Sequence, residues 1–184
     1  MNLSTRKLTQ LALFAALMCV VSPFTIPTGL VPLSLATLVL YLAAAVLGTS
    51  GTISIAVYLL LGAVGLPVFS GGLGGLDRLI GPTGGYLVGY IPCALVAGFI
   101  IDRFENRKFA YPIAMIAGTV VLYALGTAWF MILMGANGSP YTLGAALWAC
   151  VIKFLPGDAV KIIVASTLGY VLRTALAKNL KKAG

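Results

Sequence analysis

The sequence contains no histidine and only four acidic side chains, Asp77, Asp102, Glu105 and Asp158. The first absence excludes histidine acid–base catalysis and histidine metal sites. The second leaves few carboxylates for any charged site. Charged residues of both signs make up 9% of the chain, against about 25% in an ordinary soluble domain. So few charges cannot cover a soluble surface. No G-x-x-x-x-G-K-[ST] loop is present, which excludes ATP hydrolysis by that route. Cys19, Cys93 and Cys150 lie in apolar stretches without metal-ligand spacing or a C-x-x-C pair. They read as small buried apolar residues. Period-two alternation is also missing, which excludes a transmembrane β-barrel.

What is abundant is apolar: 60% of the 184 residues are hydrophobic. An integral membrane protein follows, built from helices. Each span needs about 20 apolar residues, so the length admits about six with short loops. The apolar segments run over about 8–21, 33–47, 52–64, 86–101, 111–134 and 158–176. The first resembles the basic and apolar parts of a signal peptide, but it lacks a clean A-x-A cleavage site. Pro23, Pro27 and Pro32 break the chain into a loop after it. The second and third are short and joined by Gly48-Thr49-Ser50-Gly51, which predicts an antiparallel helical pair. A glycine-rich stretch, 65–85, precedes the fourth. The run 141–155 is apolar but carries Lys153, and Pro156-Gly157 interrupts it before the last span. There is no internal repeat, so residues 1–184 are expected to form a single membrane domain.

The net charge is +8 and the isoelectric point about 9.6. These charges sit at the ends of apolar segments, which points to topology rather than to nucleic acid. Arg6 and Lys7, then Arg103, Arg107 and Lys108, then Arg173, Lys178, Lys181 and Lys182 form three clusters. Six transmembrane helices with both termini cytoplasmic place all three on the positive side. The proline loop, the glycine-rich loop, the Asn137 loop and the Pro156-Gly157-Asp158 helix start then gather at the outer face. There they form either a pocket for an external ligand or a set of solvated loops.

Three motifs could carry chemistry. Asp158 and Lys161 are three apart, so they share a helix face. A carboxylate in a first helical turn is favourable, a cation there is not. A charge within a span costs about 2.5–3.5 kcal/mol on insertion scales and by default marks a substrate path. The alternative is a self-satisfied pair. In Gly81-Pro82-Thr83-Gly84-Gly85-Tyr86, Pro82 suits a first helical position. The N–H groups of Thr83, Gly84 and Gly85 would then offer an anion seat, with Arg78 just upstream. Helix packing through Gly81, Gly85 and Gly89 is a second reading, and both can hold, because the first concerns the helix end and the second its flank. Ala12 and Ala16 form a small-xxx-small pair on the first segment, whose partner helix is either internal or another protein's. Phe69, Tyr86, Tyr90, Tyr141 and Trp148 either wall a ligand or anchor the membrane interface.

These runs carry a resemblance. Gly65-Leu66-Pro67-Val68-Phe69, the glycine cluster, Gly81-Pro82-Thr83-Gly84-Gly85-Tyr86-Leu87 and Gly157-Asp158-x-x-Lys161, in this order and spacing, resemble the BioY family. These are the biotin-specific substrate-binding (S) components of energy-coupling factor (ECF) transporters. One departure stands out: where the family often has proline-x-threonine-x-glutamine, this chain has Pro32, Ser34 and Ala36. The resemblance implies an all-α, six-helix fold in the bacterial plasma membrane, with an outward-facing vitamin pocket. It implies biotin as the transported ligand, no resident cofactor and no metal. It also implies partners: a transmembrane coupling protein, contacted through Ala12 and Ala16, and two cytoplasmic ATPases. Asp158 would accept from the ureido N–H groups and Lys161 would donate to the ureido carbonyl. The biotin carboxylate would sit near Thr83, Gly84, Gly85 and Arg78, with Tyr86 as a wall. The opposite orientation, with Lys161 on the carboxylate, remains open. So do a stand-alone facilitator and an S component for another vitamin.

Overall fold

The computed structural model describes residues 4–26, 31–104 and 107–183, with side chains of the last helix through Lys178. The expectations placed on Pro27, on Glu105 and on the side chains of Lys181 and Lys182 lie outside the described residues. The chain is helical almost throughout. Helix α1 spans Thr5–Val21, and its first turn is capped by the Ser4 hydroxyl, which accepts from the Lys7 N–H. A loop was expected next. It contains a two-residue antiparallel hairpin, β1 (Thr25–Ile26) against β2 (Leu33–Ser34). Helix α2 therefore starts at Ala36 rather than at 33, and runs to Leu47. The Ser34 hydroxyl accepts from the Ala36 N–H at 3.0 Å and so marks the start of the helix.

A three-residue 3₁₀ turn, Gly48–Ser50, leads into α3, Gly51–Ala63. Gly48 has φ +60°, which glycine adopts without strain. In a continuous helix, residues eight apart are separated by about 12 Å. Here a Cβ on Gly51 would lie 2.6 Å from the Ala43 carbonyl oxygen, so the chain reverses. The antiparallel pair expected from the Gly-Thr-Ser-Gly turn is present.

Short helix α4, Leu76–Ile80, sits inside the glycine-rich stretch, where the sequence suggested only loop. Helix α5 spans Gly84–Arg103 and α6 Ala110–Ala136. Pro82 thus lies before α5 and not at its first position. The segment 141–155 is broken into α7, Leu143–Leu147, and a π-helical turn, Trp148–Ile152. Helix α8 starts at Leu155, three residues earlier than expected, and extends to Ala183. Pro156 falls within its first turn, where a missing N–H costs no intrahelical bond. Proline and glycine therefore open this helix rather than delay it.

Among the described residues, three helical stretches are long and apolar enough to cross a membrane: Ala36–Ala63, Gly84–Arg103 and Ala110–Ala136. The first is the α2–α3 hairpin, read through its turn. The interior is lined by aromatics such as Tyr41, Tyr58, Tyr111 and Phe130, while Leu13, Phe99, Ile132 and Val160 point outward. An apolar exterior of this kind suits hydrocarbon. Polar side chains bond across helices inside it. Thr119 gives its proton to the Met115 carbonyl at 2.7 Å. Tyr41 on α2 is then the donor in its 2.5 Å bond to Thr119 on α6.

The bundle has two distinct ends. At one lie the α2–α3 turn, the end of α5, the start of α6 and the lower part of α8. Asp102 accepts there from Thr49, and Arg173 pairs with Asp102. The Ser54 hydroxyl donates to the Leu11 carbonyl and brings the start of α1 to the same end. Arg6, Lys7, Arg103, Arg107, Lys108, Arg173 and Lys178 therefore cluster together. The opposite end holds the hairpin, the glycine-rich loop and the start of α8.

Candidate functional site

At that opposite end the helices enclose a cavity of about 240 Å³. Its floor is charged. Lys161 and Asp158 lie one turn apart on α8, with side chains only 8% exposed and Nζ 2.8 Å from Oδ1. Lys161 also donates to the Ser34 carbonyl at 2.6 Å and to the Thr37 hydroxyl at 3.0 Å. All three ammonium protons thus have acceptors. Asp158 Oδ2 accepts from the Tyr123 hydroxyl on α6 at 2.5 Å. Each charge is thus paired and hydrogen-bonded, as a buried ion pair must be to persist. It also lies open to the cavity, which both residues line.

The walls come from several elements. Tyr86, Leu87 and Tyr90 of α5 form one side, and Phe69 and Leu73 of the glycine-rich loop form another. Val31, Pro32 and Leu33 close the hairpin side. Arg78 and Thr83 line the cavity towards α4 and the start of α5. The Arg78 side chain is 45% exposed, with Asp77 3.7 Å away. A mostly apolar enclosure with a few convergent polar groups is the usual make-up of a small-molecule site.

The structure sorts the residues singled out in the sequence. Asp158, Lys161, Tyr86, Thr83 and Arg78 come together around one cavity. Gly84 and Gly85 stand behind its lining. The Gly84 N–H donates to the Gly81 carbonyl at 2.9 Å, so it is not open to an anion. A Cβ on Gly85 would collide with Trp129, and one on Gly89 would press on Leu122 at 3.0 Å. The packing reading therefore holds for Gly85 and Gly89, with α6 as the partner. Trp129 reinforces it by donating to the Gly81 carbonyl at 2.9 Å. Tyr86 donates to the Cys150 carbonyl at 2.8 Å and so ties the cavity wall to the π-helical turn. Tyr141 packs edge-on against Phe130, and Trp148 is exposed. Ala12 and Ala16 face outward on α1, away from the core.

Thr37 and Tyr123 are not singled out by the sequence, and Ser34 enters there only as a departure from the family pattern. The hydroxyls of Thr37 and Tyr123 lie within apolar helices that carry other threonines and tyrosines. Nothing local distinguishes them. Ser34 and Ala36 are the positions where the chain departs from the family pattern, yet Pro32, Leu33 and Ser34 line the cavity and the Ser34 carbonyl binds Lys161.

Fold and site together define a helical membrane protein that encloses a small-molecule cavity at one end, with a buried ion pair at its floor. Comparison with known proteins narrows this class. The model of the BioY family matches residues 1–178. The chain is 38% identical to the biotin transporter BioY of Rhodobacter capsulatus over 178 residues, covering 92% of each chain. It is 38% identical to the biotin transporter BioY of Thermotoga maritima over 170 residues, covering 91% of this chain and 96% of that one. A crystal structure of the S-component for biotin from an ECF-type ABC transporter superposes with a TM-score of 0.82 at 27% identity, covering 94% of this chain and 95% of the other. The chain belongs to the BioY family, and it is a multi-pass membrane protein.

Proposed function

We propose that this chain captures biotin from outside the cell and carries it across the membrane as the S component of an ECF-type importer. The observation that carries the reading is the buried Asp158–Lys161 pair, which opens onto a cavity at the end of the bundle remote from the cation cluster. Under the positive-inside rule that cluster faces the cytoplasm and the cavity faces outward. The working topology is a single membrane domain of six spans, α1, α2, α3, α5, α6 and α8, with both termini inside.

Biotin has a ureido ring with two N–H donors and a carbonyl acceptor, an apolar thioether ring, an alkyl chain and a carboxylate. A buried site must satisfy the polar groups or lose affinity. Asp158 accepts from a ureido N–H and Lys161 shares a proton with the ureido carbonyl. Tyr86, Tyr90 and Phe69 enclose the apolar part. The carboxylate lies towards Arg78 and Thr83; Gly85 shapes this end of α5 by packing on Trp129 of α6, and Gly84 by its close approach to the Leu79 carbonyl.

Uphill transport needs energy from elsewhere. We assign it to a transmembrane coupling protein and two cytoplasmic ATPases. The outward-facing Ala12 and Ala16 on α1 offer the coupling protein a close helix contact. The substrate is tested by mass spectrometry of small molecules released from purified protein, followed by titration of stripped protein with biotin. Recovered biotin and saturable one-to-one binding are expected. A folded sample that gives neither would sink the assignment. The docking face is tested by Ala12→Trp and Ala16→Trp, which should abolish uptake and leave binding intact. Uptake at the wild-type rate would remove α1 from the interface.

A further inference from the structure

We infer that Tyr123 is a positioning residue for Asp158 and sets how this carboxylate is presented to the ligand. The inference rests on the reading of the cavity as a biotin site. Tyr123 stands on α6, and its hydroxyl donates to Asp158 Oδ2 at 2.5 Å, while Lys161 holds Oδ1 at 2.8 Å. Each carboxylate oxygen is thus gripped by one donor, from two different helices. The terminal torsion of an aspartate is otherwise soft and two-fold. Gripped at both oxygens, it has one orientation. A carboxylate has about four acceptor positions, so two remain for the cavity that Asp158 and Tyr123 both line.

A second feature shows that nothing stands ready to replace this hydroxyl. Tyr123 also borders a largely apolar groove of about 390 Å³ between α6 and the α7 region, lined by Val120, Met131, Leu147 and Val151. The ring is the partition between the two spaces. Its polar edge meets Asp158, and the groove beyond offers little but hydrocarbon. The hydroxyl of Thr127, also in that groove, sits 3.5 Å from the Tyr86 hydroxyl. Among the described residues Oδ2 has no other donor. Loss of the Tyr123 hydroxyl therefore leaves a buried carboxylate held on one side only.

The test uses the full chain in lipid nanodiscs, titrated with biotin as wild type, Tyr123→Phe, Asp158→Asn and the double variant. Tyr123→Phe should weaken binding about tenfold, the size of one hydrogen bond to a charged group. In the double variant it should add nothing to the loss caused by Asp158→Asn, because it acts through that carboxylate. Infrared spectroscopy supplies a readout that packing alone would not move. With only four acidic side chains in the chain, the Asp158 carboxylate band is assigned by its loss in Asp158→Asn. It should shift in Tyr123→Phe. Wild-type binding with an unmoved band overturns the inference, and so do losses that multiply in the double variant. If Tyr123→Phe fails to fold, 3-fluorotyrosine at position 123 keeps the ring and strengthens the donor. The band must then move in the opposite sense. A folded wild type that binds no biotin refutes the biotin reading instead, and the infrared comparison still decides whether Tyr123 holds Asp158.

Discussion

The last helix carries one ion pair towards each end. Near the cavity, Lys161 meets Asp158 at 2.8 Å with both side chains 8% exposed. Near the opposite end, Arg173 meets Asp102 at 2.9 Å with the side chains 16% and 40% exposed. The acids differ more than the distances do. Asp102 also accepts from the Thr49 N–H at 2.8 Å and the Thr49 hydroxyl at 2.7 Å. Its carboxylate fills the space that a Gly48 side chain would need. It fastens the α2–α3 turn to α5 and α8. Asp158 has two described donors and borders a cavity. An acid–base pair thus clasps a turn where the acid is held by that turn's own donors, and lines a cavity where it is not.

The comparison breaks most sharply at Lys161. Removing one partner of a buried ion pair costs about 3–5 kcal/mol, because the other charge is left without compensation. Lys161→Met should lower the thermal unfolding midpoint in detergent and abolish biotin binding together. The ammonium joins α8 to the hairpin through Ser34 and to α2 through Thr37 as well as holding Asp158. A stable variant that still binds biotin would show that the cavity floor does not depend on the pair.

The two ends also differ in how much of them can be read from the sequence. The α2–α3 reversal is legible because Gly48 and Gly51 are local signals: a positive φ at one, a close backbone approach at the other. The sharing of one helix face by Asp158 and Lys161 follows from their spacing alone. Their partners do not. Tyr123 is 35 residues from Asp158, and Thr37 and Ser34 are 124 and 127 residues from Lys161. Such contacts are made by tertiary packing, and a lone hydroxyl in an apolar helix gives no sign of them. The start of α8 is hidden in the sequence for a related reason. Pro156 and Gly157 look like an interruption until the preceding turn is seen to run directly into the helix.

Asp102 should give a smaller and cleaner effect. Asp102→Asn weakens the charge-assisted bonds to Thr49 and Arg173, a loss of about 1–3 kcal/mol in stability. Unfolding should occur at lower temperature, while the biotin dissociation constant of the folded protein stays at the wild-type value. Thermal melts alongside titration at one low temperature separate the two quantities. A weakened biotin affinity would mean that the clasp and the cavity are coupled along α8 and that the two ends do not act separately.

Thr37 gives the smallest expected change and sharpens the comparison from the cavity side. Its hydroxyl is one of three acceptors on Lys161, at 3.0 Å, and the longest of the three bonds. Thr37→Val keeps the β-branched shape within α2 and removes only the acceptor. The loss should be about 0.5–1.5 kcal/mol, because one ammonium proton is left without its partner. In the free protein that cost appears as reduced stability. In the complex, a ureido carbonyl placed near Lys161 supplies the missing acceptor, so biotin should stabilise Thr37→Val by more than it stabilises the wild type. Melts with and without saturating biotin measure the difference. Equal stabilisation of both would show that no ligand acceptor, whether the ureido carbonyl or the carboxylate of the reversed ligand, reaches Lys161.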